Sequence, residues 1–295
     1  MNFNNLDCNV KYDEPLKNHT TFKIGGNCKI LVEPKSVDNI IEILKICKNN
    51  NLNFFIIGNG SNLLVSDNGY DGVIIKLKEN FSNIYLNDGY VVSQSGATLS
   101  EVFKFSMNNS LTGFEFASGI PGTIGGAVYM NAGAYGGEMK DVVSEVEVLD
   151  IDTLEQIVLK SENLHFDYRK SIVQERNYII TKVKLKLSVG DINEIRAVYL
   201  DLKEKRNSKQ PLEFGSAGST FKRPEGNFAS KLIEDSGLKG YSVNDAMVSK
   251  KHSGFIVNVG NATCSDVLKL VDYVKKTVYE KYNVKLEMEV KILGE

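Results

Sequence analysis

Apolar residues recur along this chain at two spacings, and each spacing predicts an element. Val37, Ile40, Ile41, Leu44 and Cys47 fall three and four apart, which makes one face of a helix over residues 36–50. Ser36 stands where a cap belongs, and Pro34 stops the strand before it. Residues 98–108 predict a shorter helix. Ile192, Ile195, Val198, Tyr199 and Leu202 predict an amphipathic helix over 192–205, followed by a polar loop over 206–218. A short helix is expected near 229–236, and a long one over 265–281 that buries Val267, Leu270, Val271, Val274 and Val278.

Strands show the other spacing. Val183, Leu185 and Leu187 alternate with Lys184 and Lys186, as in a sheet with one wet face over 178–187. Residues 143–151 read the same way, with shorter strands at 73–75, 91–93 and 255–259. Phe54-Phe55-Ile56-Ile57 predicts a short buried strand running straight into Gly58-Asn59-Gly60. Over 284–292, Val284, Leu286, Met288, Val290 and Ile292 share one face, while Lys285, Glu287, Glu289 and Lys291 share the other. On pattern alone that charged face is solvated. The style changes at Val189-Gly190-Asp191, which sets a boundary between domains 1–189 and 190–295.

Composition narrows the class. With 295 residues, 42% hydrophobic and 24% charged, the chain reads as soluble and globular, long enough for two domains. A net charge of −2 gives no basic excess to suggest nucleic acid. No apolar run reaches transmembrane length, and the first residues lack the order of a signal peptide, so a cytoplasmic location is expected. A monomer is expected. Cys8, Cys28, Cys47 and Cys264 contain no Cys-x-x-Cys pair, which suggests reduced thiols. His19, His165 and His252 lie too far apart for a local metal motif, so no metal is expected.

Glycine carries the candidate chemistry. Gly119, Gly122, Gly125, Gly126, Gly133, Gly136 and Gly137 crowd into residues 118–138, and Gly58-Asn59-Gly60-Ser61-Asn62-Leu63-Leu64 forms a second cluster. Such clusters mark tight turns or backbone lying against a ligand, and two of them suggest a phosphate-bearing cofactor. A Rossmann fingerprint fails, because no third glycine opens a helix after Gly60. No Gly-Lys-Ser/Thr follows either, so the loop is no Walker A motif. A nest of backbone N–H groups, helped by Ser61 and Asn62, remains open beside a plain β-turn.

Seven motifs then carry a resemblance. They are Asn18-His19-Thr20-Thr21-Phe22-Lys23-Ile24-Gly25-Gly26, the Gly58–Leu64 cluster, and Gly119-Ile120-Pro121-Gly122-Thr123-Ile124-Gly125-Gly126. Asp167-Tyr168-Arg169, Gly218-Ser219-Thr220-Phe221-Lys222-Arg223-Pro224, Lys251-His252-Ser253-Gly254-Phe255-Ile256-Val257-Asn258 and Leu286-Glu287-Met288-Glu289-Val290 follow. In order and spacing they resemble the UDP-N-acetylenolpyruvoylglucosamine reductase family (MurB) from about residue 12 onward. The chain resembles its shorter form, since residues 190–215 hold no tyrosine-bearing loop insertion. Met288 stands where many relatives carry proline.

The resemblance implies an α+β fold. A flavin-binding domain of the vanillyl-alcohol-oxidase (PCMH) type is followed by a smaller substrate-binding domain. It implies FAD as cofactor, NADPH as co-substrate and a nucleotide sugar as substrate. Hydride passes from NADPH to the flavin, then from flavin N5 to the vinyl carbon of the enolpyruvyl ether, giving UDP-N-acetylmuramate. Addition leaves an enolate, which needs a cation at the carboxylate and a proton donor at the neighbouring carbon. The family pattern assigns these parts to Arg169, Ser219 and Glu289. Arginine suits a carboxylate because its planar fork keeps its charge. Cofactor contacts fall to Gly58, Asn59, Gly60, Ser61, Asn62, Leu63, Gly119, Pro121, Gly122, Thr123, Gly125, Gly126, Asn131 and Gly133. Substrate contacts fall to Tyr168, Arg206, Lys209, Gln210 and Gly218. Two other classes stay open: an FAD oxidase of the same fold, for which His19 is the one candidate tether near a glycine loop, and a nucleotide-sugar-binding regulator without catalysis.

Overall fold

Caps written in the sequence set the ends of most helices. The computed structural model describes Phe3 and residues 6–294; Met1, Asn2, Asn4 and Asn5, part of the stretch read for a leader, lie outside the described residues. Strands β1 (Asn9–Pro15) and β2 (Asn27–Glu33) precede α1 (Val37–Asn49), where the Asn39 N–H donates to Ser36 Oγ at 3.1 Å. Next come β3 (Phe54–Ile57), β4 (Leu63–Val65), β5 (Tyr70–Lys76), β6 (Ile84–Asn87) and β7 (Tyr90–Gln94). Helix α2 (Leu99–Asn108) opens on a reciprocal capping box between Thr98 and Glu101. It leads to β8 (Leu111–Thr112), α3 (Ile124–Tyr129), and the small ribbon of β9 (Gly133–Ala134) and β10 (Gly137–Glu138). Longer strands β11 (Val143–Asp150), β12 (Gln156–Lys160) and β13 (Tyr178–Leu185) follow, then β14 (Ser188–Val189) and α4 (Ile192–Lys209). The chain closes with α5 (Ala229–Asp235), β15 (Ser242–Val243), β16 (Ala246–Val248), β17 (Ile256–Asn258), α6 (Cys264–Tyr282) and β18 (Lys291–Leu293). Helices and mostly antiparallel strands thus make an α+β protein.

Two compact units emerge. The first takes residues up to Lys11, Ile30–Asn59 and Gly72–Lys205; the second takes Tyr12–Lys29, Gly60–Asp71 and the chain from Arg206. A single cut near 190 therefore does not describe the division. In the first unit, strands in the order β12-β11-β13-β7-β6 form an antiparallel sheet. Its wet face carries the pairs Lys182–Glu147 at 2.8 Å and Lys184–Glu145 at 3.2 Å. Val146, Val148, Val183 and Leu185 share a core with Leu99, Val102 and Phe103 of α2 and Ile124 and Val128 of α3. A second core joins Ile40, Ile43, Leu44 and Cys47 of α1 to Val73 and Ile75 of β5.

The second unit shows why early segments belong with late ones. Phe22, Ile24 and Leu64 are buried with Val267, Leu270, Val271, Val274 and Val278 of α6. Strand β18 pairs in parallel with β4. The Asp67 carboxylate accepts bonds from the Cys264 and Ser265 N–H groups at 2.7 and 3.0 Å, at the start of α6. Thr21 Oγ1 donates to the Ser216 carbonyl at 2.7 Å, and the Ser216 N–H donates to the Thr21 carbonyl at 3.1 Å. None of these links has a periodic signature.

Four expectations change. Helix α4 runs on to Lys209, so Arg206 and Lys209 occupy its last turn and not a loop; its polar, helix-favouring residues propagate it, and only Ile195 is buried. Residues 284–287 keep the expected alternation, but Met288 and Glu289 are both half-buried, the stretch pairs with residues 220–222 through a single bridge and two backbone bonds, and the regular strand shrinks to Lys291–Leu293. Strand β3 is half-buried except at Ile57, because it forms one edge of the sheet β1-β2-β5-β3. Helix α3 is unforeseen, because Gly125-Gly126 argues against a helix.

Candidate active site

The structure brings Gly58 and Asn59 against residues 121–123 within the first unit. A Cβ at Gly58 would strike Thr123 Oγ1, and Asn59 Nδ2 donates to the Pro121 carbonyl at 2.6 Å. Thr123 caps α3. The Ile124 and Gly125 N–H groups donate to the carbonyls of Ala97 and Ser95 at 2.8 and 2.9 Å, so that helix end is already spent on protein acceptors. A Cβ at Gly125 would lie 2.7 Å from Ser95 Cβ, and one at Gly133 would lie 2.6 Å from the Gly137 carbonyl oxygen. Packing explains those two glycines. Gly126 is different: it is exposed, and its Cβ would meet nothing closer than Thr123 Oγ1 at 3.5 Å. Gly119 is half-buried after a short turn, and Gly122 is buried, its carbonyl accepting from the Leu99 N–H at 3.0 Å.

The N–H groups of Asn59, Gly60 and Ser61 meet no protein acceptor among the described residues. Gly60 adopts φ +59°, and a Cβ there would strike the His19 carbonyl and lie 2.9 Å from Thr20 Cα. Among the described residues, two buried hydroxyls, Thr20 Oγ1 and Ser95 Oγ, have no hydrogen-bond partner. Each adjoins a glycine of one segment, Thr20 beside Gly60 and Ser95 beside Gly125. A buried hydroxyl without a partner costs about 1–3 kcal/mol.

Arg169 sits at a tight reversal. The Asp167 and Lys170 N–H groups donate to each other's residue's carbonyl, both at 3.1 Å. Arg169 adopts φ +56°, a left-handed conformation costing about 1–2 kcal/mol for a residue with a Cβ. Three buried or half-buried side chains hold the loop against the end of α3. Gln174 Nε2 donates to the Arg169 carbonyl at 2.9 Å and to the Tyr129 carbonyl at 2.7 Å. Ser171 Oγ donates to that Tyr129 carbonyl at 2.8 Å. Asn131 Nδ2 donates to the Asp167 carbonyl at 3.0 Å and to Glu138 Oε2 at 2.7 Å, while its Oδ1 accepts from the Lys140 N–H at 3.0 Å. At about 0.5–1.5 kcal/mol each, these bonds offset the backbone cost. Asn131 is fully buried, so its carboxamide serves the loop. Tyr168 is 48% exposed, and the Arg169 guanidinium lies 5.1 Å from the centre of its ring.

In the second unit, residues far apart in sequence meet. The Glu289 N–H donates to the Thr220 carbonyl at 2.9 Å, and the Lys222 N–H donates to the Glu287 carbonyl at 2.9 Å. With the Phe221–Met288 bridge, this register sets Glu289 opposite Thr220, the residue that follows Ser219 in the chain. Thr220 is buried; its Oγ1 accepts from the Ile256 N–H at 2.9 Å, and its own N–H donates to the Gly254 carbonyl at 2.9 Å. Ser219 is exposed, and Gly218 before it turns at φ +78° with open space at its Cβ position. Glu289 is half-buried, whereas Glu287 is exposed and paired with Lys222 Nζ at 3.1 Å. Asn62 Nδ2 donates to the Glu289 carbonyl at 3.3 Å, so the segment from Gly60 and the Glu289 segment are tied. Leu63 starts β4 beside Lys291.

Other candidates find plainer places. Arg206 Nε donates to Gln210 Oε1 at 3.2 Å, and Lys209 is exposed. His19 is buried against Glu14, Nε2 to Oε1 2.7 Å. His252 Nδ1 accepts from the Gly254 N–H at 3.1 Å, and burial holds its pKa below the ordinary value. None of the four cysteines forms a disulfide, and burial pushes Cys28 and Cys47 up to about 11. Among the described residues, no group of three His, Cys, Asp or Glu could hold a metal ion, and no helix is long and apolar enough to cross a membrane.

Comparison with known proteins matches this arrangement to two domain families. Residues 28–155 match an FAD binding domain, and residues 210–293 match the C-terminal domain of UDP-N-acetylenolpyruvoylglucosamine reductase. A reductase of that name from Alkaliphilus oremlandii is 53% identical over 286 residues, 97% of this chain and 94% of that protein. One from Clostridioides difficile is 49% identical over 286 residues, with 97% and 94% covered. The crystal structure of the Thermus caldophilus enzyme (MurB) superposes with a TM-score of 0.82 at 35% identity, covering 98% of this chain and 99% of that one. The chain belongs to the UDP-N-acetylenolpyruvoylglucosamine reductase family.

Proposed function

We propose that this chain reduces the enolpyruvyl ether of UDP-N-acetylglucosamine to UDP-N-acetylmuramate, a step of peptidoglycan precursor synthesis, with FAD as cofactor and NADPH as reductant. The match to reductases of that name over 97% of the chain carries the reading. The residues fit the cofactor on physical grounds. Three unengaged N–H groups at Asn59, Gly60 and Ser61 form the kind of nest that takes a phosphate. The Ser95 hydroxyl, buried and without a partner among the described residues, lies beside Gly125 of the same unit. The family pattern also assigns Asn62, Leu63, Gly58, Gly119, Pro121, Gly122, Thr123, Gly125, Gly126, Asn131 and Gly133 to the cofactor.

Bound FAD supplies the hydride. The protein's own residues must then manage charge and a proton. Arg169 meets the negative charge that grows on the substrate carboxylate. Ser219 Oγ gives its proton to the carbon beside that carboxylate, and the carboxyl of Glu289 assists at the same centre. Tyr168, Gly218, Arg206, Lys209 and Gln210 are assigned to the nucleotide sugar, the cations and amide to its pyrophosphate and hydroxyls. The purified protein should be yellow, with bands near about 370 and 450 nm, and NADPH should bleach them without air. A chain that stays colourless after incubation with FAD would overturn the reading.

A further inference from the structure

Resting on the assignment of Arg169 to the substrate carboxylate, we infer that Gln174 is the positioning residue that sets where Arg169 acts. One carboxamide bonds two carbonyls, that of Arg169 itself and that of Tyr129 at the end of α3. Both are backbone atoms, so the link fixes the main chain from which the guanidinium projects. Arg169 holds a left-handed φ of 56°, which is not a conformation its residue type would choose unaided. The Asp167–Lys170 backbone bonds close the reversal, and Gln174 ties the carbonyl of Arg169 itself to the helix. Gln174 therefore joins the reversal at residues 167–170 to the helix that carries Gly125 and Gly126. Ser171 shares the Tyr129 carbonyl but does not touch Arg169, so it fastens the loop without orienting that residue.

A double-mutant cycle tests this. Gln174→Met keeps length and removes both donated bonds. The reduced, flavin-loaded protein is mixed anaerobically with the enolpyruvyl substrate, and the limiting rate of flavin reoxidation is followed with the substrate Kd. Gln174→Met should slow the limiting rate by about 10- to 100-fold, the usual result of misplacing a group by about 1 Å, with flavin reduction by NADPH unchanged. In an Arg169→Ala background the same change should have under about a 2-fold effect, because Gln174 acts through Arg169. Hydrogen exchange should quicken in peptides spanning 166–175. Equal fold-losses in both backgrounds would overturn the inference, as would a wild-type rate in Gln174→Met. A wild-type rate in Arg169→Ala would overturn the assignment of Arg169 as well, which separates the two failures. Should Gln174→Met lose its flavin, Gln174→Glu carries the test: an ionised carboxylate cannot donate to two carbonyls, whereas its acid form donates to one. Its rate relative to wild type should fall above neutral pH and recover toward about pH 5; a constant ratio would overturn the inference.

Discussion

Replacing Gly125 by alanine should loosen the protein, and the same change one residue later should tighten it. Both glycines lie in α3, where alanine is favoured over glycine by about 0.8–1 kcal/mol. At Gly126 the new methyl would meet only Thr123 Oγ1 at 3.5 Å, an ordinary contact, so the gain is kept. At Gly125 it would lie 2.7 Å from Ser95 Cβ and 3.0 Å from the Ser95 carbonyl oxygen. Carbon atoms prefer about 3.5–4.0 Å, so helix and strand end must separate by roughly 0.8 Å. Overpacking of that kind costs about 1–3 kcal/mol, which leaves Gly125→Ala neutral to about 2 kcal/mol less stable. Urea unfolding of flavin-free protein reads the difference as midpoints moving in opposite directions, by roughly 0.3 M per kcal/mol. Flavin titration adds the functional half. Gly126→Ala should bind FAD at least about 10-fold more weakly although the protein is more stable, because its methyl fills space assigned to the cofactor. A stabilised Gly125→Ala would refute the packing argument. Undiminished flavin affinity in Gly126→Ala would remove that glycine from the cofactor site.

Three further outcomes follow from the same geometry. Glu289→Gln should slow substrate reduction by about 10²-fold or more, whereas Glu287→Gln, which only loses an exposed pair with Lys222, should change it little; similar stopped-flow reoxidation rates in the two would mean the wrong carboxylate has been chosen. Asp67→Ala should cost about 1–2 kcal/mol in urea unfolding, since the first N–H groups of α6 lose their acceptor; an unchanged midpoint would count against the cap. Burial depresses the pKa of His252, so the unfolded chain, titrating near its ordinary 6.5, binds the proton more readily. Stability from this group is complete above that value and is lost as pH falls below it, and His252→Gln should flatten the slope of denaturation midpoint between pH 7.5 and 5; an unchanged slope would contradict this.

Helix α6 was fully legible because period and cap agree: its five apolar residues are buried, and Thr263 and Asp266 form a capping box. Helix α4 buries only Ile195 of its predicted face, with Tyr199 packed against Phe103, while Val198 remains 47% exposed. Helix α3 had no sequence reading at all, and Gly125 in it lets the backbone pack closely against Ser95. Residues 12–29 gave no sign of their unit, since Thr21 and Ser216 join largely through backbone groups. The site divides likewise. Motif order pointed to Ser219 and Glu289, but their adjacency depends on the register of Thr220 against Glu289, which no local period encodes. Gln174 and Ser95 carried no signal, and Thr20 only its place in a motif: a side chain that bonds distant carbonyls, or a hydroxyl left without a partner, is visible only once the chain is folded.

The most direct test of the account is a single-turnover reoxidation. Wild-type protein and Ser219→Ala are loaded with FAD, reduced with NADPH without air, and mixed with the enolpyruvyl nucleotide sugar while absorbance is followed near about 450 nm. The wild type should regain its colour and yield one lactyl ether per flavin. Ser219→Ala should accept reducing equivalents from NADPH at the normal rate and reoxidise about 10²-fold or more slowly, the usual size of a lost proton donor. A wild-type protein whose flavin stays bleached in the presence of that substrate would contradict the proposed reaction, and equal slowing of both steps in Ser219→Ala would contradict the role of its hydroxyl.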